Sequence, residues 1–245
     1  MNRNSLKLTD IIPIPLRPAS PEGLPFLMWR HRRNADQVLD QIATHIERIE
    51  AGVMTNIQSP LELQFHSMSR DSSGNVCFAD DPHLRPEFRT GFHPIDLWDY
   101  YYALWHSNQK GEFFGHTDND LPWPDSRVFW KRVSVGKKLR VLHSTRHLPE
   151  QSPLIISESG EVRIKTVPDR YRIAEESENT GRLYLNEQSY IDRVPQLAWE
   201  FSLRGYRPLQ DYFKDHIGEI LDADQTRSLC QWIEVVERTS RMVMK

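Results

Sequence analysis

Apolar residues spaced three and four positions apart predict a first amphipathic helix after Asn34. Asn34 and Gln37 have the spacing of a capping box, and Gly52 is expected to end the helix. Before it, five prolines in residues 1–30 predict an extended or irregular arm. After it, residues 55–92 show weak periodicity and predict mainly loops. The apolar positions of the helix are Val38, Leu39, Ile42, Ile46 and Ile49.

Residues 93–107 and 126–142 predict two further helices. The first stretch is strongly apolar, which predicts a buried helix with Pro94 in its first turn. Its apolar stripe consists of Leu97, Tyr101, Leu104 and Trp105. The second stretch carries many cations. Its predicted buried face consists of Val128, Val135, Leu139 and Leu142.

The pattern changes after Pro149, where polar and apolar residues begin to alternate as they do in half-buried strands. Residues 161–167 and 181–186 are the two predicted strands. Short helices are predicted near residues 195–201 and 208–216. This second half of the chain is therefore expected to mix strands with helices.

A long helix is predicted to close the chain, with Asp222 and Gln225 in capping-box spacing at its start. The predicted fold class is α+β, with a helical N-terminal part followed by a small mixed strand/helix domain that this helix closes. We expect a Pro-rich arm and helix in residues 1–60, a mostly helical connector with a basic helix in residues 61–150, and the strand-containing domain in residues 151–245. The buried face of the closing helix is predicted to be Leu229, Trp232, Ile233, Val236 and Val243.

The composition is typical of a globular chain, with 38% hydrophobic and 27% charged residues and a formal net charge of −3. No stretch approaches the ~20 apolar residues that a membrane helix needs, and the N-terminus lacks the apolar core of a secretory signal. Cys77 and Cys230 form no CxxC motif, which favours a reducing compartment. We therefore expect a cytoplasmic protein without membrane contact.

The sequence lacks the common catalytic motifs. It has no glycine-rich methyl-donor turn, no Asn/Asp-Pro-Pro-aromatic loop of a DNA methyltransferase, no P-loop, no GxSxG and no HExxH. Pro168-Asp169 begins like the acidic motif of restriction nucleases, but no acidic-x-Lys partner follows closely. We predict that the chain is not an enzyme by itself and has neither catalytic residues nor a cofactor.

Histidines offer a metal-binding alternative that the pattern does not favour. His143 and His147 are four residues apart, and His116, Asp118 and Asp120 form an HxDxD string. Neither group has obvious third and fourth ligands. His143 also follows an apolar residue at a predicted helix end, where packed histidines are common. We predict structural roles for these residues and no metal.

Seven cations between Ser126 and His147 occur without an intervening carboxylate, although the whole chain is acidic. A helix here would leave them exposed, where they can replace counterions along a DNA backbone. A solvated helix face is the simpler alternative, and Arg30-His-Arg-Arg33 is a weaker candidate of the same kind. The seven cations are Arg127, Lys131, Arg132, Lys137, Lys138, Arg140 and Arg146.

A second set of candidate DNA contacts surrounds Gly205. Arg204 and Arg207 have the chemistry to hydrogen-bond a guanine edge, and Tyr206 to stack or to contact a phosphate. The alternative is that Gly205 permits a tight turn and Tyr206 is a packing residue. Lys214, in the next predicted helix, completes the set.

Residues 181–221 resemble the C-terminal specificity domain of type ISP restriction–modification enzymes. That family has a Gly-Arg-x-Tyr-x-Asn strand, an aromatic residue before Val-Pro, a Trp-x-Phe turn, a Gly-Tyr step and a Lys-Asp pair near a glycine. Residues 101–107, 121–124 and 135–143 resemble further family segments, so the resemblance covers about Ile95 to Lys245. The matching C-terminal residues are Gly181, Arg182, Tyr184, Asn186, Tyr190, Val194, Pro195, Trp199, Phe201, Gly205, Tyr206, Lys214, Asp215 and Gly218.

The resemblance implies sequence-specific recognition of double-stranded DNA that positions the DNA for a methyltransferase or nuclease. Family members join those catalytic parts to the recognition domain in one long chain. Since the catalytic motifs are missing here, a separate methyltransferase or restriction subunit is the expected partner. Two alternatives stay open. One is a protein–protein adaptor of a defence system without DNA readout, which the net acidity favours, and the other is an incomplete fragment of a longer type ISP enzyme.

Overall fold

The computed structural model divides the chain into two compact units, Met1–Arg146 and His147–Lys245. The first is mainly helical, and the second contains a four-stranded sheet. The residues that the structure describes are 11–17, 25–49, 51–67, 89–107, 124–145, 154–157, 162–168, 171–173, 179–187, 189–203 and 205–244.

Helices form most of the N-terminal unit. Short 3-10 helices at Ile14–Leu16 and Arg32–Asn34 accompany them, and Ile11 and Ile12 are fully buried in the unit. The main elements in chain order are α1 (Leu27–Arg30), α2 (Ala35–Glu47), α3 (Ala51–Leu61), β1 (Gln64–Phe65), β2 (Gly91–Phe92), α4 (Pro94–Trp105) and α5 (Ser126–Ser144). Strands β1 and β2 form a short parallel pair.

Helix α4 contacts both α2 and α5 and is buried on nearly all sides. Pro94 lies in its first turn, and the Asp96 carboxylate accepts a hydrogen bond from the His93 N–H at 2.9 Å. The predicted buried helix is confirmed. Its fully buried aromatic side chains are Trp98, Tyr101, Tyr102 and Trp105.

Helix α5 packs along α4 with a face that differs from the predicted one. Val128 is 37% exposed and Val135 is half-buried, so the prediction that both lie in the core is wrong. Two aromatic rings, Phe129 and Trp130, are buried instead and remove more apolar area from water than two valines would. The buried residues of α5 are Phe129, Trp130, Val133, Gly136, Leu139, Leu142 and His143.

Gly136 brings the backbones of α4 and α5 into direct contact. A Cβ atom built on Gly136 would lie 1.7 Å from the carbonyl oxygen of Asp99 in α4. No side chain fits this space, because carbon and oxygen atoms in contact need more than 3 Å. The glycine therefore sets both the distance between the two helices and the rotation of α5 about its axis.

The first predicted helix corresponds to α2, which ends at Glu47 and not near Gly52. Gly52 lies in the first turn of α3, a helix that the weak pattern of residues 55–92 did not predict. The predicted capping box is also wrong, because the Asn34 side chain makes no capping hydrogen bond. Instead the preceding 3-10 helix runs directly into α2, and the Asn34 N–H donates to the His31 carbonyl at 3.0 Å.

The C-terminal unit contains the larger sheet, in which β3, β7, β6 and β5 lie side by side in that order and all pairs are antiparallel. Strands β4 and β8 form a separate antiparallel pair. The elements in chain order are β3 (Leu154–Ser157), β4 (Val162–Arg163), β5 (Tyr171–Ile173), β6 (Thr180–Tyr184), β7 (Ser189–Pro195), α6 (Gln196–Glu200), α7 (Pro208–Asp215), β8 (Ile220–Leu221) and α8 (Ala223–Val243).

Helix α8 closes this unit as predicted. Its capping box is confirmed: the Asp222 side chain accepts from the Gln225 N–H at 2.7 Å, and the Gln225 side chain accepts from the Asp222 N–H at 2.9 Å. The helix contacts α6, α7 and β7. Of the predicted face, Val243 is only half-buried at the helix end. The buried members are Leu229, Trp232, Ile233 and Val236.

The strands were predicted less completely than the helices. The strand expected at residues 161–167 is only the two-residue β4, whereas the strand expected at 181–186 corresponds to β6. Strand β7 escaped the pattern because Asp192 and Arg193 follow one another and a bulge interrupts the alternation there.

The fold class α+β is confirmed, and the two short helices α6 and α7 lie where they were predicted. In the described part of the chain, no helix combines the length and the apolar character needed to cross a bilayer.

Gly136→Ala tests the helix contact. At an exposed helical site this change stabilises by about 1 kcal/mol, because alanine has the higher helix propensity. Here we expect a loss of about 3 kcal/mol, since the added methyl group must push α4 and α5 apart. Urea unfolding followed by tryptophan fluorescence measures the change. Ser134→Ala, at an exposed position of the same helix, is the control and should not lose stability. A stabilised Gly136→Ala variant would contradict the contact.

Candidate nucleic-acid interface

The exposed face of α5 carries a line of three cations. Arg127, Lys131 and Lys138 are all exposed and are separated by four and seven residues, which places them on one side of a helix. With a rise of about 1.5 Å per residue, the line spans about 16 Å. No Asp or Glu occurs within α5. We name these three residues the α5 stripe.

Each cation of the α5 stripe lacks a partner among the described residues and can therefore bind a ligand. Among the described residues, no hydrogen bond or ion pair engages the charged groups of Arg127, Lys131 or Lys138. At the start of α5 the Asp125 carboxylate accepts instead from the Val128 N–H at 2.8 Å and caps the helix. The stripe is therefore a positive surface on a chain with a net charge of −3.

Arg140 is not part of this exposed surface, so the expectation that the helix leaves its charge exposed is wrong. Its Nε donates to Asp99 Oδ1 at 2.6 Å and its Nη2 donates to Asp99 Oδ2 at 3.0 Å. The two side chains are only 15% and 2% exposed. The guanidinium is therefore committed to a buried, two-point ion pair between α5 and α4.

Burial raises the pKa of Asp99 to about 6, although the hydrogen bonds and the positive charge of Arg140 oppose that rise. The same ion pair raises the pKa of Arg140, despite the opposing effect of burial. Lys137 is exposed on the flank of α5, and its charge also lowers the pKa of Asp99. Arg132 is half-buried and already interacts within the protein. Arg146 lies outside the described residues.

The weaker N-terminal cluster is partly used inside the protein as well. The Arg32 guanidinium lies 3.9 Å from the centre of the Trp29 ring and donates to the Trp29 carbonyl at 3.1 Å. Arg33 is exposed but also engaged within the protein, whereas Arg30 is exposed. Two of the three arginines in this cluster therefore already interact within the protein, which leaves fewer of them for a DNA contact than the sequence indicates.

His143 is a packed histidine at the end of α5, as predicted. It is fully buried, and burial lowers its pKa well below the ordinary value, so the ring is neutral. The Tyr102 hydroxyl accepts from the Met28 N–H at 3.4 Å and donates to His143 Nδ1 at 2.6 Å. These bonds hold α1, α4 and α5 together.

His106 completes this buried cluster. Its Nδ1 donates to the Tyr102 carbonyl at 2.8 Å, and its Nε2 accepts from the Phe26 N–H at 3.3 Å, which holds Phe26 at a positive φ of 63°. Among the described residues, no three His, Cys, Asp or Glu side chains meet as metal ligands. His116, Asp118, Asp120 and His147 lie outside the described residues.

The candidates around Gly205 lie on a tight turn. The Leu203 N–H donates to the Tyr206 carbonyl at 2.8 Å, the Tyr206 N–H donates back at 3.0 Å, and Gly205 has a φ of 90°. The expected turn at Gly205 is confirmed, since glycine tolerates this φ. Tyr206 is half-buried, and Arg204 lies outside the described residues.

The cations that follow the turn are bound to their own helix. Arg207 is exposed, but its Nη1 donates to the Gln210 side chain at 3.5 Å. The Lys214 ammonium donates to Asp211 Oδ1 at 2.7 Å. Lys214 therefore lies beside a carboxylate of its own helix, and its DNA contact stays a prediction.

A family model described as Type ISP C-terminal specificity domain matches residues 26–244. The chain belongs to this family. The match begins at Phe26, well upstream of the segments in which the resemblance was first noted. A comparison with curated proteins gave no match.

Three solved structures contain regions similar to this specificity domain. A nuclease-deletion mutant of the Type ISP restriction-modification enzyme LlaGI, in complex with a DNA substrate mimic, is 19% identical with a TM-score of 0.43; the similarity covers 64% of this chain and 14% of that chain. The DrdV–DNA complex is 16% identical with a TM-score of 0.47, and the similarity covers 64% of this chain and 18% of that chain. The ATP-dependent Type ISP restriction-modification enzyme LlaBIII bound to DNA is 19% identical with a TM-score of 0.40, and the similarity covers 66% of this chain and 11% of that chain. The specificity domain thus corresponds to less than a fifth of the length of each of those chains.

Two glycines of the specificity domain that belong to the family pattern serve the fold. Gly136 lies against Asp99, as described above. A Cβ on Gly181 would lie 2.4 Å from the Arg172 carbonyl oxygen and 2.7 Å from the Tyr171 ring. The Tyr171 ring stacks on Trp199 with centroids 6.3 Å apart, and its hydroxyl donates to the Val194 carbonyl at 2.8 Å. Gly136 thus sets the packing of two helices, and Gly181 with Tyr171 sets the packing within the sheet.

Sequence reasoning missed a second basic surface of the specificity domain. Strands β6 and β7 bury one face and expose the other, and together with Arg172 of β5 the exposed face carries three arginines and two tyrosines. The alternation of Arg182 with Tyr184 and of Tyr190 with Asp192 was the available signal, but β5 and β7 had to be recognised first. We name this surface the outer sheet face, and it consists of Arg172, Arg182, Tyr184, Tyr190, Asp192 and Arg193.

Arg140→Ala tests the buried ion pair through its pH dependence. The pKa of Asp99 is about 6 in the folded protein and 3.8 in the unfolded chain, so ionisation of Asp99 costs stability as the pH rises above about 4. Without Arg140 the folded pKa rises further, and the loss continues above pH 6. We expect a deficit of about 3 kcal/mol at about pH 8 and a much smaller one at about pH 5, measured by urea unfolding.

Lys138→Ala is the control for this measurement, because Lys138 is exposed on the same helix and engages no described carboxylate. It should change stability little at either pH. An Arg140→Ala deficit of equal size at both pH values would show that Asp99 is not the group that loses its partner.

Proposed function

We propose that this specificity domain binds double-stranded DNA and positions it for a methyltransferase or nuclease carried on a partner chain. The observation that carries the proposal is the α5 stripe in a member of the Type ISP specificity family. Three aligned cations stand without a described carboxylate partner on a helix that has no acidic residue. The domain itself performs recognition and no chemistry.

The geometry of the α5 stripe suits a DNA backbone. Arg127, Lys131 and Lys138 span about 16 Å of helix, which is long enough to meet several phosphates of one strand. Each phosphate neutralised by a cation releases condensed counterions, and this release supplies affinity without reading sequence. The stripe therefore fixes the register of the DNA, while other side chains discriminate between bases.

Loss of the three stripe charges is expected to flatten the salt dependence of DNA binding. We compare the wild type with Arg127→Gln/Lys131→Gln/Lys138→Gln by fluorescence anisotropy on a short labelled duplex. Three phosphate contacts correspond to a slope of about −2.7 in log K against log salt, or about 40-fold in affinity between about 50 and 200 mM salt. The variant should lose that part of the slope.

A matched control removes the same charge elsewhere. Arg227, Arg238 and Arg241 are cations of α8 that already pair with carboxylates in that helix. Their triple change to glutamine alters the net charge by the same amount and is expected to leave the salt slope within error. An equal loss in both variants would mean that total charge, not the stripe, governs binding. A wild-type protein without affinity for DNA would exclude DNA binding and favour the adaptor function.

The proposed partnership predicts a modification phenotype. When the gene for this chain is deleted in its host, adenine methylation is expected to disappear at one DNA sequence motif, because the partner methyltransferase loses its guide to that motif. Methylation-sensitive sequencing with and without the chain measures this. Complementation by the wild type should restore methylation, whereas complementation by the triple stripe variant should restore it poorly. A methylation pattern that is unchanged by the deletion would exclude this role.

A further inference from the structure

The outer sheet face concentrates positive charge that the fold does not need. Within the described residues of β5, β6 and β7 it presents Arg172, Arg182 and Arg193 with one carboxylate, Asp192, on a chain with a net charge of −3. Arg172 and Arg182 are direct partners in the register of β5 and β6, so two like charges lie side by side. Such pairing destabilises a sheet slightly and indicates that the charges serve another purpose.

Aromatic rings hold two of these arginines in place. The Arg172 guanidinium lies 5.7 Å from the centre of the Tyr184 ring, and the Arg182 guanidinium lies 5.0 Å from that of Tyr190. The Arg182 Nε also donates to Asp192 Oδ1 at 3.2 Å. Side chains held in this way lose less conformational entropy on binding a ligand than free side chains do.

Arg193 is exposed like the other two but differs from them in its strained backbone conformation. Between β6 and β7 the register slips, so that Asp192 and Arg193 form a bulge, and Arg193 has a φ of 56°. Glycine, not arginine, is the usual residue at a bulge position with positive φ. Among the described residues, no hydrogen bond or ion pair engages the Arg193 guanidinium. A strained, unpaired arginine is retained at some cost in stability, which points to a function.

We propose that the outer sheet face is a second contact surface for double-stranded DNA, with Arg193 as its central contact residue. The proposal rests on the proposed function and adds a surface in the C-terminal unit that is separate from the α5 stripe. Duplex DNA fits the chemistry because all three cations are arginines, whose planar guanidinium groups bind phosphates or guanine edges through two hydrogen bonds. The bulge directs Arg193 out of the sheet, where it can reach the duplex.

Arg193→Gly separates a binding role from a structural one. Glycine relieves the positive φ, so the unfolding midpoint is expected to stay the same or to rise. DNA affinity, measured by anisotropy on duplexes taken from the host genome, is expected to fall about tenfold, because one guanidinium contact is lost. A variant that is at least as stable as the wild type but binds DNA more weakly supports the proposal. A variant that binds like the wild type overturns it.

Two controls and a second variant sharpen this result. Glu62 is an exposed residue in the N-terminal unit with a φ of 55°, so Glu62→Gly relieves the same kind of strain and should not weaken DNA binding. Arg227→Gln removes one exposed charge from α8 and should also leave affinity unchanged. Arg172→Gln, which leaves the bulge intact, is expected to reduce the salt slope by about 0.9. An unchanged slope for Arg172→Gln would remove β5 from the surface.

The two proposals can fail separately. If the wild-type protein binds no duplex DNA, the proposed function fails and takes the outer sheet face with it. If the wild type binds DNA with a steep salt dependence that the triple stripe variant reduces, but Arg193→Gly and Arg172→Gln bind like the wild type, the outer sheet face alone is excluded. Retained DNA affinity in those variants, together with lost binding to a purified methyltransferase subunit, would reassign the surface to a protein partner.

Discussion

The N-terminal unit depends on one close contact, in which Gly136 of α5 lies directly against the carbonyl of Asp99 in α4. One helical turn further on, Arg140 forms a two-point ion pair with the same residue through its side chain. Backbone contact and ion pair together define the distance between the helices and the rotation of α5. Because that rotation turns Gly136 and Arg140 inward, Arg127, Lys131 and Lys138 must face outward.

Carboxylate partners divide the cations of this protein into two functional groups. Arg140 and Lys214 each have an acidic neighbour and contribute mainly to local structure. The α5 stripe and Arg193 have no such neighbour among the described residues and carry the proposed DNA contacts. This division explains how a chain of net charge −3 can still present positive surfaces, since a ligand responds to the local field and not to the total charge.

The residues that resemble the family include both fold residues and proposed contact residues, the latter being Arg182, Tyr184 and Tyr190 of the outer sheet face. Gly136 and Gly181 allow backbones to approach one another, and Tyr171 with Trp199 covers the second of these contacts. Such residues fix how the helices and strands of the fold pack against one another. The α5 stripe lies on exposed positions of that fold, where a change of side chain does not disturb packing.

Local sequence determined the buried helix α4 and both residues of the capping box that begins α8, because each depends on residues within four positions of one another. The order of such local elements along the chain then gave the fold class. Local sequence also placed the cations on one helix. Tertiary structure decided which of them are free. Asp99 is 41 residues from Arg140 and neutralises it only after α4 and α5 have packed. The register of β6 against β7 creates the bulge at Arg193, and no short-range pattern in the sequence records that pairing.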